Sequence, residues 1–158
     1  MVSNDTSCRM TQRTLRLDDF LPYRLSITSN LVSDVIARAY GALFALTVPE
    51  WRLIAVMAEN DGITQQQLCL RTRMDKVTVS RAAIALAGRG LIRREAHPQD
   101  GRSQLLTLSE EGAELYRNVA PKALELEARI FGQLDPADLT LLRDMLDRIS
   151  RAAERLVD

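Results

Sequence analysis

The stretch from Asp75 to Ser109 reads DKVTVSRAAIALAGRGLIRREAHPQDGRSQLLTLS, and it decides the fold. Asp75 can cap a helix that runs to about Arg89, and Gly90 followed by Leu91 is a typical helix end. Two short runs with strand character, LIRRE and SQLLTL, follow on either side of the turn sequence AHPQDGR. The stretch therefore predicts a helix followed by a β-hairpin with a basic tip. That shape fits the major and minor grooves of DNA.

The residues before this stretch predict the other half of a helix-turn-helix motif. The run VPEWRLIAVMAEN is amphipathic and ends before Asn60-Asp61-Gly62. In ITQQQLCLRT, Thr64 and Gln67 have the spacing of a capping box, so a short helix should begin there. A tight connection from Thr72 to Met74 then leads to the helix capped by Asp75. Two helices joined by a short turn and followed by a hairpin make a winged helix-turn-helix.

Long helices are predicted on both sides of this motif. From Leu17 the apolar positions follow helical spacing, with Pro22 close to the start of the helix. A second long helix follows the hairpin, and Pro121 should kink or break it. Asp135-Pro136 begins a last helix with an apolar stripe from Leu139 to Leu156. The fold class expected is mainly α with a small β-hairpin, a winged helix-turn-helix with N- and C-terminal dimerisation helices.

Three parts are expected along the chain. Residues 1–16 are polar and patternless and should form a disordered tail. Residues 17–46 and 110–158 should form a helical dimerisation region, and residues 47–109 the winged helix-turn-helix DNA-binding lobe. A two-fold dimer can read two half-sites about one helical turn, ~34 Å, apart, whereas one lobe buries little surface on DNA. The alternative is that the terminal helices pack within one chain.

The charge of the chain is distributed unevenly. The 158 residues have a formal net charge of zero, which says little about partners by itself. Residues 64–108, however, contain eight Lys or Arg against three Asp or Glu, a local charge of +5. Residues 1–63 carry −1 and residues 109–158 carry −4. The basic charge therefore coincides with the predicted DNA-binding elements.

Several classes of protein are disfavoured. No apolar run approaches the roughly 20 residues of a membrane span, and MVSNDTSCRMTQRT has no apolar core of a signal peptide, so we expect a cytoplasmic protein. Cys8, Cys69 and the single His97 do not make a plausible zinc site, and no metal or cofactor is expected. With one histidine and no Gly-rich phosphate loop, an enzyme has little support.

The outer face of the helix after Asp75 carries the expected base contacts. If Val79, Ala83 and Leu86 turn inward, the opposite face of its N-terminal half meets base edges. The residues predicted to do so are Lys76, Val77, Thr78, Ser80 and Arg81. Arginine can make a bidentate hydrogen bond to a guanine, valine can contact a thymine methyl, and the hydroxyls can form hydrogen bonds with bases or phosphates. The alternative is an ordinary solvated polar face.

A second set of residues should bind the DNA backbone. These candidates are Thr64, Gln65, Arg71, Arg73, Arg93 and Arg94. At the hairpin tip, Arg102 could enter a narrow minor groove, where a guanidinium is attracted. Alternatively, or in addition, Asp100 could pair with Arg102 and order the tip.

Three motifs resemble the MarR family of bacterial transcription regulators. They are Asp100-x-Arg102 followed after five residues by Leu108-Ser109, the helix exit Gly90-Leu91-Ile92-Arg93, and the helix start Pro49-Glu50-Trp51-Arg52. Ser109 departs from the family's usual Thr but preserves a helix cap. The resemblance covers about residues 17–157. It implies a winged helix-turn-helix homodimer on double-stranded DNA with a palindromic operator, whose first, fifth and sixth helices build the interface.

The resemblance also implies a signal, either a small molecule, often a phenolic or aromatic acid, or an oxidant sensed by cysteine. The oxidant sensors carry their cysteine in the first helix, where this chain has Pro22, so Cys8 would have to serve instead. We therefore expect a repressor released by a small effector; a redox sensor or a protein-interaction module are the alternatives. The expected effector-binding residues are Tyr23, Arg24, Ser26, Asn30, Trp51 and Arg52. Tyr23 and Trp51 could instead be ordinary core or interface aromatics.

Overall fold

Six α-helices and a three-stranded antiparallel sheet make up the part of the chain described by the computed structural model, residues 14–157. Within that part, the side chains of residues 100–102 are not described. The helices are α1 (Leu21–Phe44), α2 (Val48–Ala58), α3 (Gln65–Thr72), α4 (Lys76–Gly88), α5 (Glu110–Phe131) and α6 (Pro136–Glu154). The strands are β1 (Ile63–Thr64), β2 (Ile92–His97) and β3 (Asp100–Leu108), and a 3-10 turn at Leu17–Asp19 precedes α1. The predicted class, a winged helix-turn-helix that is mainly α, is confirmed.

Two capping boxes fix the starts of α2 and α3. At α2, the Thr47 amide donates to Glu50 Oε2 at 2.7 Å and the Glu50 amide donates to the Thr47 hydroxyl at 3.3 Å. At α3, Thr64 and Gln67 make the same pair of bonds at 2.9 and 3.2 Å. The box at Thr64 was predicted and is confirmed. The box at Thr47 was not predicted, although the sequence Thr-x-x-Glu signals it.

The sheet has the order β1-β3-β2, so the long hairpin strand β3 lies in the middle. The predicted hairpin is confirmed, with Ile92 opposite Leu108 at its base and a register irregularity between Ala96 and His97. Strand β1 was not predicted, because two residues, Ile63–Thr64, are too short to show an alternating pattern. It adds an edge strand to the hairpin of β2 and β3, here called the wing, and joins the sheet to the start of α3.

One apolar core connects the helix-turn-helix to the long helices. In the lobe this core includes Leu53 and Ile54 of α2. The other elements contribute Leu68 of α3, Val79, Ala83 and Leu86 of α4, Leu106 of β3, Tyr40 of α1, and Val119 and Leu126 of α5. The core therefore crosses the predicted boundaries at residues 47 and 109, and the division into lobe and dimerisation region stays a prediction.

Helix α5 is not broken at Pro121, where a kink or a break was predicted. The helix runs through the proline from Glu110 to Phe131. Val119 before the proline and Leu126 after it are both buried in the core. Packing on both sides of Pro121 offsets the cost of one missing amide donor.

The N-terminal half of α1 and most of α6 are exposed. Every residue from 21 to 30 is exposed, and α6 contains no buried residue. Both helices nevertheless present apolar side chains to solvent. On α1 these are Leu21, Leu25, Ile27, Leu31 and Val35, and on α6 they are Leu141, Met145, Leu146 and Ile149.

Within residues 14–157, no single helix has the length and apolar composition of a membrane span. Helices α1 and α2 meet those criteria only when taken together, and they are bent by 80° at the break between them.

The close approach between Gly112 and the backbone of Leu91 gives a test of the fold. A Cβ at Gly112 would lie 2.0 Å from the Leu91 carbonyl oxygen, whereas a Cβ at Gly88, on the exposed side of α4, would meet nothing within 4 Å. We expect Gly112→Ala to lower the free energy of unfolding by about 1–3 kcal/mol or more through steric overlap. Gly88→Ala should instead raise it by roughly 0.5–1 kcal/mol. Urea denaturation at one protein concentration measures both, and equal effects of the same sign would contradict the packing at Gly112.

Candidate nucleic-acid interface

The turn between α3 and α4 is held by Arg73 and Asp75. Arg73 has a left-handed backbone conformation with φ of 54°, which reverses the chain after α3. The Asp75 carboxylate accepts a hydrogen bond from the Thr78 amide at 2.9 Å and another from the Thr78 hydroxyl at 2.6 Å. These two bonds hold the pKa of the Asp75 carboxyl below its usual value, and the bond from the Thr78 hydroxyl has the larger effect. The Thr78 hydroxyl proton is therefore engaged, and its oxygen remains an acceptor for a DNA donor.

Helix α4 presents two distinct faces. Val79, Ala83 and Leu86 have no exposed surface, so the prediction that they turn inward is confirmed. On the outer side Lys76, Val77 and Arg81 are exposed, and Thr78 and Ser80 are half-buried. No acidic residue occurs within α4. The structure thus places all five predicted base-contact residues in the first two turns of one helix, around an outward face that carries positive charge.

The predicted backbone contacts on α3 lie at its two ends. Thr64 and Gln65 are half-buried at the N-terminus, where the Thr64 hydroxyl takes part in the capping box. At the other end Arg71 pairs with Glu59, with 3.1 Å between Nη2 and Oε2, and Arg73 pairs with Glu154 of α6. All four side chains of these ion pairs are more than half exposed. Such pairs contribute little to stability, so a phosphate could replace either acid at small cost.

The wing supplies two further arginines in β2. Arg93 and Arg94 are exposed, and Arg94 lies opposite Leu106 in the ladder. Glu111, at the start of α5, has a lowered pKa, chiefly because its carboxylate accepts a hydrogen bond from its own backbone amide and to a smaller extent because of the charge of Arg93. The charge of Arg93 thus favours the ionised form of Glu111.

Three predicted residues cannot be assigned contacts. Cys8 lies outside the described residues, as do the side chains of Asp100 and Arg102, although the backbone of both wing residues belongs to β3. Contact between Arg102 and DNA and ordering of the tip by Asp100 stay predictions.

Sequence reasoning missed the role of Arg89. Its guanidinium donates to the carbonyl oxygen of Ala45 at 2.8 Å and to that of Phe44 at 3.3 Å. Arg89 follows α4, and the two carbonyls are at the C-terminal end of α1, where unpaired carbonyls need donors. The contact ties the end of α4 to the end of α1. The partners are 44 and 45 residues apart, so no local pattern could have indicated it.

The predicted effector residues do not meet within one chain. Tyr23, with Arg24, Ser26 and Asn30, lies on the exposed half of α1, and Arg52 is exposed on α2. Trp51 instead packs between Tyr40, edge to face at 5.5 Å, and Tyr116, stacked at 5.7 Å between ring centroids. Tyr23 is 17 residues before Tyr40, which is about 25 Å along a helix. Trp51 is thus a core aromatic, the alternative considered above, and a pocket holding all six residues would need a second chain.

The described residues show no metal-binding cluster and contain one free cysteine, Cys69. They contain no group of three His, Cys, Asp or Glu side chains that could hold a metal ion. Cys69 is a half-buried free thiol that packs against the core, which agrees with its expected role as a small core residue of α3.

Comparison with known proteins agrees with this architecture. The model of the MarR family matches residues 46–103. An uncharacterized HTH-type transcriptional regulator of Mycobacterium bovis is 30% identical over 94 residues, which span 60% of this chain and 66% of that protein. The crystal structure of a probable transcriptional regulator from Pseudomonas aeruginosa is 30% identical with a TM-score of 0.77, and the match covers 85% of this chain and 99% of that one. The chain belongs to the MarR family.

A further MarR family regulator, from Streptomyces coelicolor, has been solved in complex with DNA. It is 24% identical to this chain with a TM-score of 0.80, and the match covers 89% of this chain and 90% of that one. At that identity the likeness shows the fold alone. Its membership of the MarR family, shown by the matches above, makes this chain a transcription regulator with a DNA-binding fold.

The cap at Asp75 makes the stability of this MarR-family lobe depend on pH. Because the folded-state pKa is lowered, the stabilisation is present above the ordinary aspartate pKa of about 3.9 and is lost as the pH falls through the lower folded value. We expect Asp75→Asn to be less stable than the wild type at neutral pH, with the gap closing in acid. Urea unfolding at a series of pH values measures the gap. Asp61→Asn is the control, since the Asp61 carboxylate makes no hydrogen bond or ion pair to the described residues, and a gap independent of pH would refute the role of the carboxylate charge.

Proposed function

We propose that the chain is a cytoplasmic, homodimeric repressor that binds a palindromic DNA operator and is released by a small effector, with phenolic or aromatic acids as the class to test. The observation that carries the proposal is the outer face of α4. This face combines the exposed side chains of Lys76 and Arg81 with the hydroxyls of Thr78 and Ser80, and α4 contains no acidic residue.

The surroundings of α4 support binding to duplex DNA. The capped N-terminus of α3 offers backbone amides with a partial positive charge for phosphate. The exposed arginines of β2 lie in the strand that follows α4 along the chain. A helix in the major groove with basic elements on both sides is the arrangement by which helix-turn-helix proteins combine base readout and backbone contacts.

The uncovered terminal helices support dimerisation. The apolar side chains of α6 recur as Leu142, Met145, Leu146 and Ile149, a helical stripe, and none of them is buried within one chain. Large apolar patches on a folded protein mark interfaces. A second copy would cover both α6 and the first half of α1, and it would set two α4 helices at a fixed distance.

The effector part of the proposal rests on the same second copy. The exposed aromatic ring of Tyr23 and the guanidinium of Arg24 could complement an aromatic acid once a partner chain closes over them. An effector held at the junction of two chains would alter the spacing of the two lobes, which is how such a ligand could weaken DNA binding.

DNA binding is tested by selecting fragments from a random duplex library and measuring their affinity by fluorescence anisotropy. The logarithm of the association constant should fall by about 0.9 for each phosphate neutralised per tenfold rise in salt. Arg81→Ala should weaken binding about 10- to 100-fold and relax the preference for one base pair. Arg117→Ala, on α5 where the arginine pairs with Glu110, is the matched control. Failure to select any fragment at low salt would reject the DNA-binding proposal, and added aromatic acids test release in the same assay.

Dimerisation is tested by sedimentation equilibrium. The wild type should have twice the chain mass of 17.7 kDa at micromolar concentration. Leu146→Glu combined with Ile149→Glu should shift it to the monomer mass, because two carboxylates would be buried in an apolar interface. Leu70→Glu is the control, because Leu70 is an exposed residue of α3, and it should leave the mass unchanged. A wild type that is monomeric at these concentrations would be evidence against the proposed dimer.

A further inference from the structure

The outward side of α4 carries more than its polar residues. Val77, Arg81, Ile84 and Gly88 follow one another at helical spacing and form a single stripe, here called the outward stripe. Val77 is 57% and Ile84 59% exposed, and both are on the side opposite the buried Val79, Ala83 and Leu86. Two branched apolar side chains therefore stand in solvent seven residues apart, with an arginine between them.

The second half of α4 has no polar group to serve as a solvated face. After Arg81 its sequence is AAIALAG, although Ile84, Ala85 and Gly88 are exposed. An ordinary surface helix carries polar side chains at such positions, because exposed apolar groups are poorly hydrated. The core does not account for Ile84, since the inward positions of the same helix already fill it. The outward stripe is therefore available to a partner with apolar groups.

The major groove of DNA offers one apolar group, the C5-methyl of thymine. Seven residues of α-helix span about 10.5 Å, and three base-pair steps span about 10.2 Å. Val77 and Ile84 are thus spaced to meet methyl groups about three base pairs apart. Arg81 lies between them and is placed to make a bidentate hydrogen bond to a guanine. Gly88 has no neighbour within 4 Å of its Cβ position, so the end of the stripe leaves room for the DNA backbone.

We propose that Val77 and Ile84 determine operator specificity by contacting two thymine methyl groups about three base pairs apart in each half-site. The inference rests on the proposed DNA binding and adds to it the bases that are read. Val77 is a residue already expected to face DNA. Ile84 was not, and its contact extends the base-reading surface of α4 from the first two turns to the third.

The test removes the methyl groups from the DNA while every hydrogen-bonding group stays in place. In an operator obtained by selection, each thymine is replaced in turn by deoxyuridine, in both half-sites together, and the dissociation constant is measured by anisotropy. With wild-type protein, two positions about three base pairs apart should each lose about fourfold in affinity per methyl, or about 15-fold for the symmetric pair. All other thymines should show no change.

Protein variants then assign each methyl to a side chain. Val77→Ala should abolish the deoxyuridine effect at one of the two positions, and Ile84→Ala should abolish it at the other. Leu70→Ala is the matched control, an exposed leucine on α3 in the same lobe, and it should preserve both effects. All three positions are exposed, so the folded state should be retained, and circular dichroism checks this.

The outcomes separate this inference from the proposal beneath it. If no operator can be selected, the DNA-binding proposal itself fails. If an operator binds but deoxyuridine changes nothing, or its effects persist in both Val77→Ala and Ile84→Ala, methyl readout is overturned while DNA binding stands. In that case the outward stripe would be assigned to a protein partner.

Discussion

The rest of the structure depends on the hydrogen bonds of one buried serine. The Ser109 hydroxyl donates to the Gly90 carbonyl at 2.7 Å and accepts from the Gly112 amide at 3.0 Å. Its own amide donates to the Leu91 carbonyl at 3.0 Å, and the residue is only 4% exposed. Ser109 therefore joins the exit of α4, the end of β3 and the start of α5. Because buried polar groups must be paired, these elements can hardly change their mutual orientation without losing bonds.

Two other contacts fix the lobe to the long helices. Arg89 caps the end of α1 from the end of α4, and Trp51 of α2 lies between Tyr40 of α1 and Tyr116 of α5. Helix α4 is thus connected to α1 by hydrogen bonds and, through α2, by aromatic packing. In the proposed dimer, a change in how α1 meets its partner would reach α4 through these contacts. Small interface shifts would then alter the distance between the two α4 helices.

The sequence predicted those features that depend on near neighbours. The caps at Thr64, Asp75 and Ser109 involve partners three residues away, so their signals are visible in the sequence. The cap supplied by Arg89 was missed because its partners are on another helix, far along the chain. Where a kink or a break was expected at Pro121, the helix continues, because core packing on both sides outweighs one lost hydrogen bond. Local chemistry was therefore readable, and contacts between distant elements were not.

The count of basic residues overstates the charge available to DNA. Of the eight Lys and Arg between residues 64 and 108, Arg89 is engaged with backbone carbonyls. Arg71 and Arg73 are paired with acids, but both ion pairs are exposed, so their interaction energy is at most about 1 kcal/mol. A phosphate can replace Glu59 or Glu154 at little net cost, whereas moving Arg89 would remove the side-chain donor to the Phe44 and Ala45 carbonyls at the end of α1. Arg71 and Arg73 can therefore exchange partners on binding, while Arg89 keeps the lobe in place.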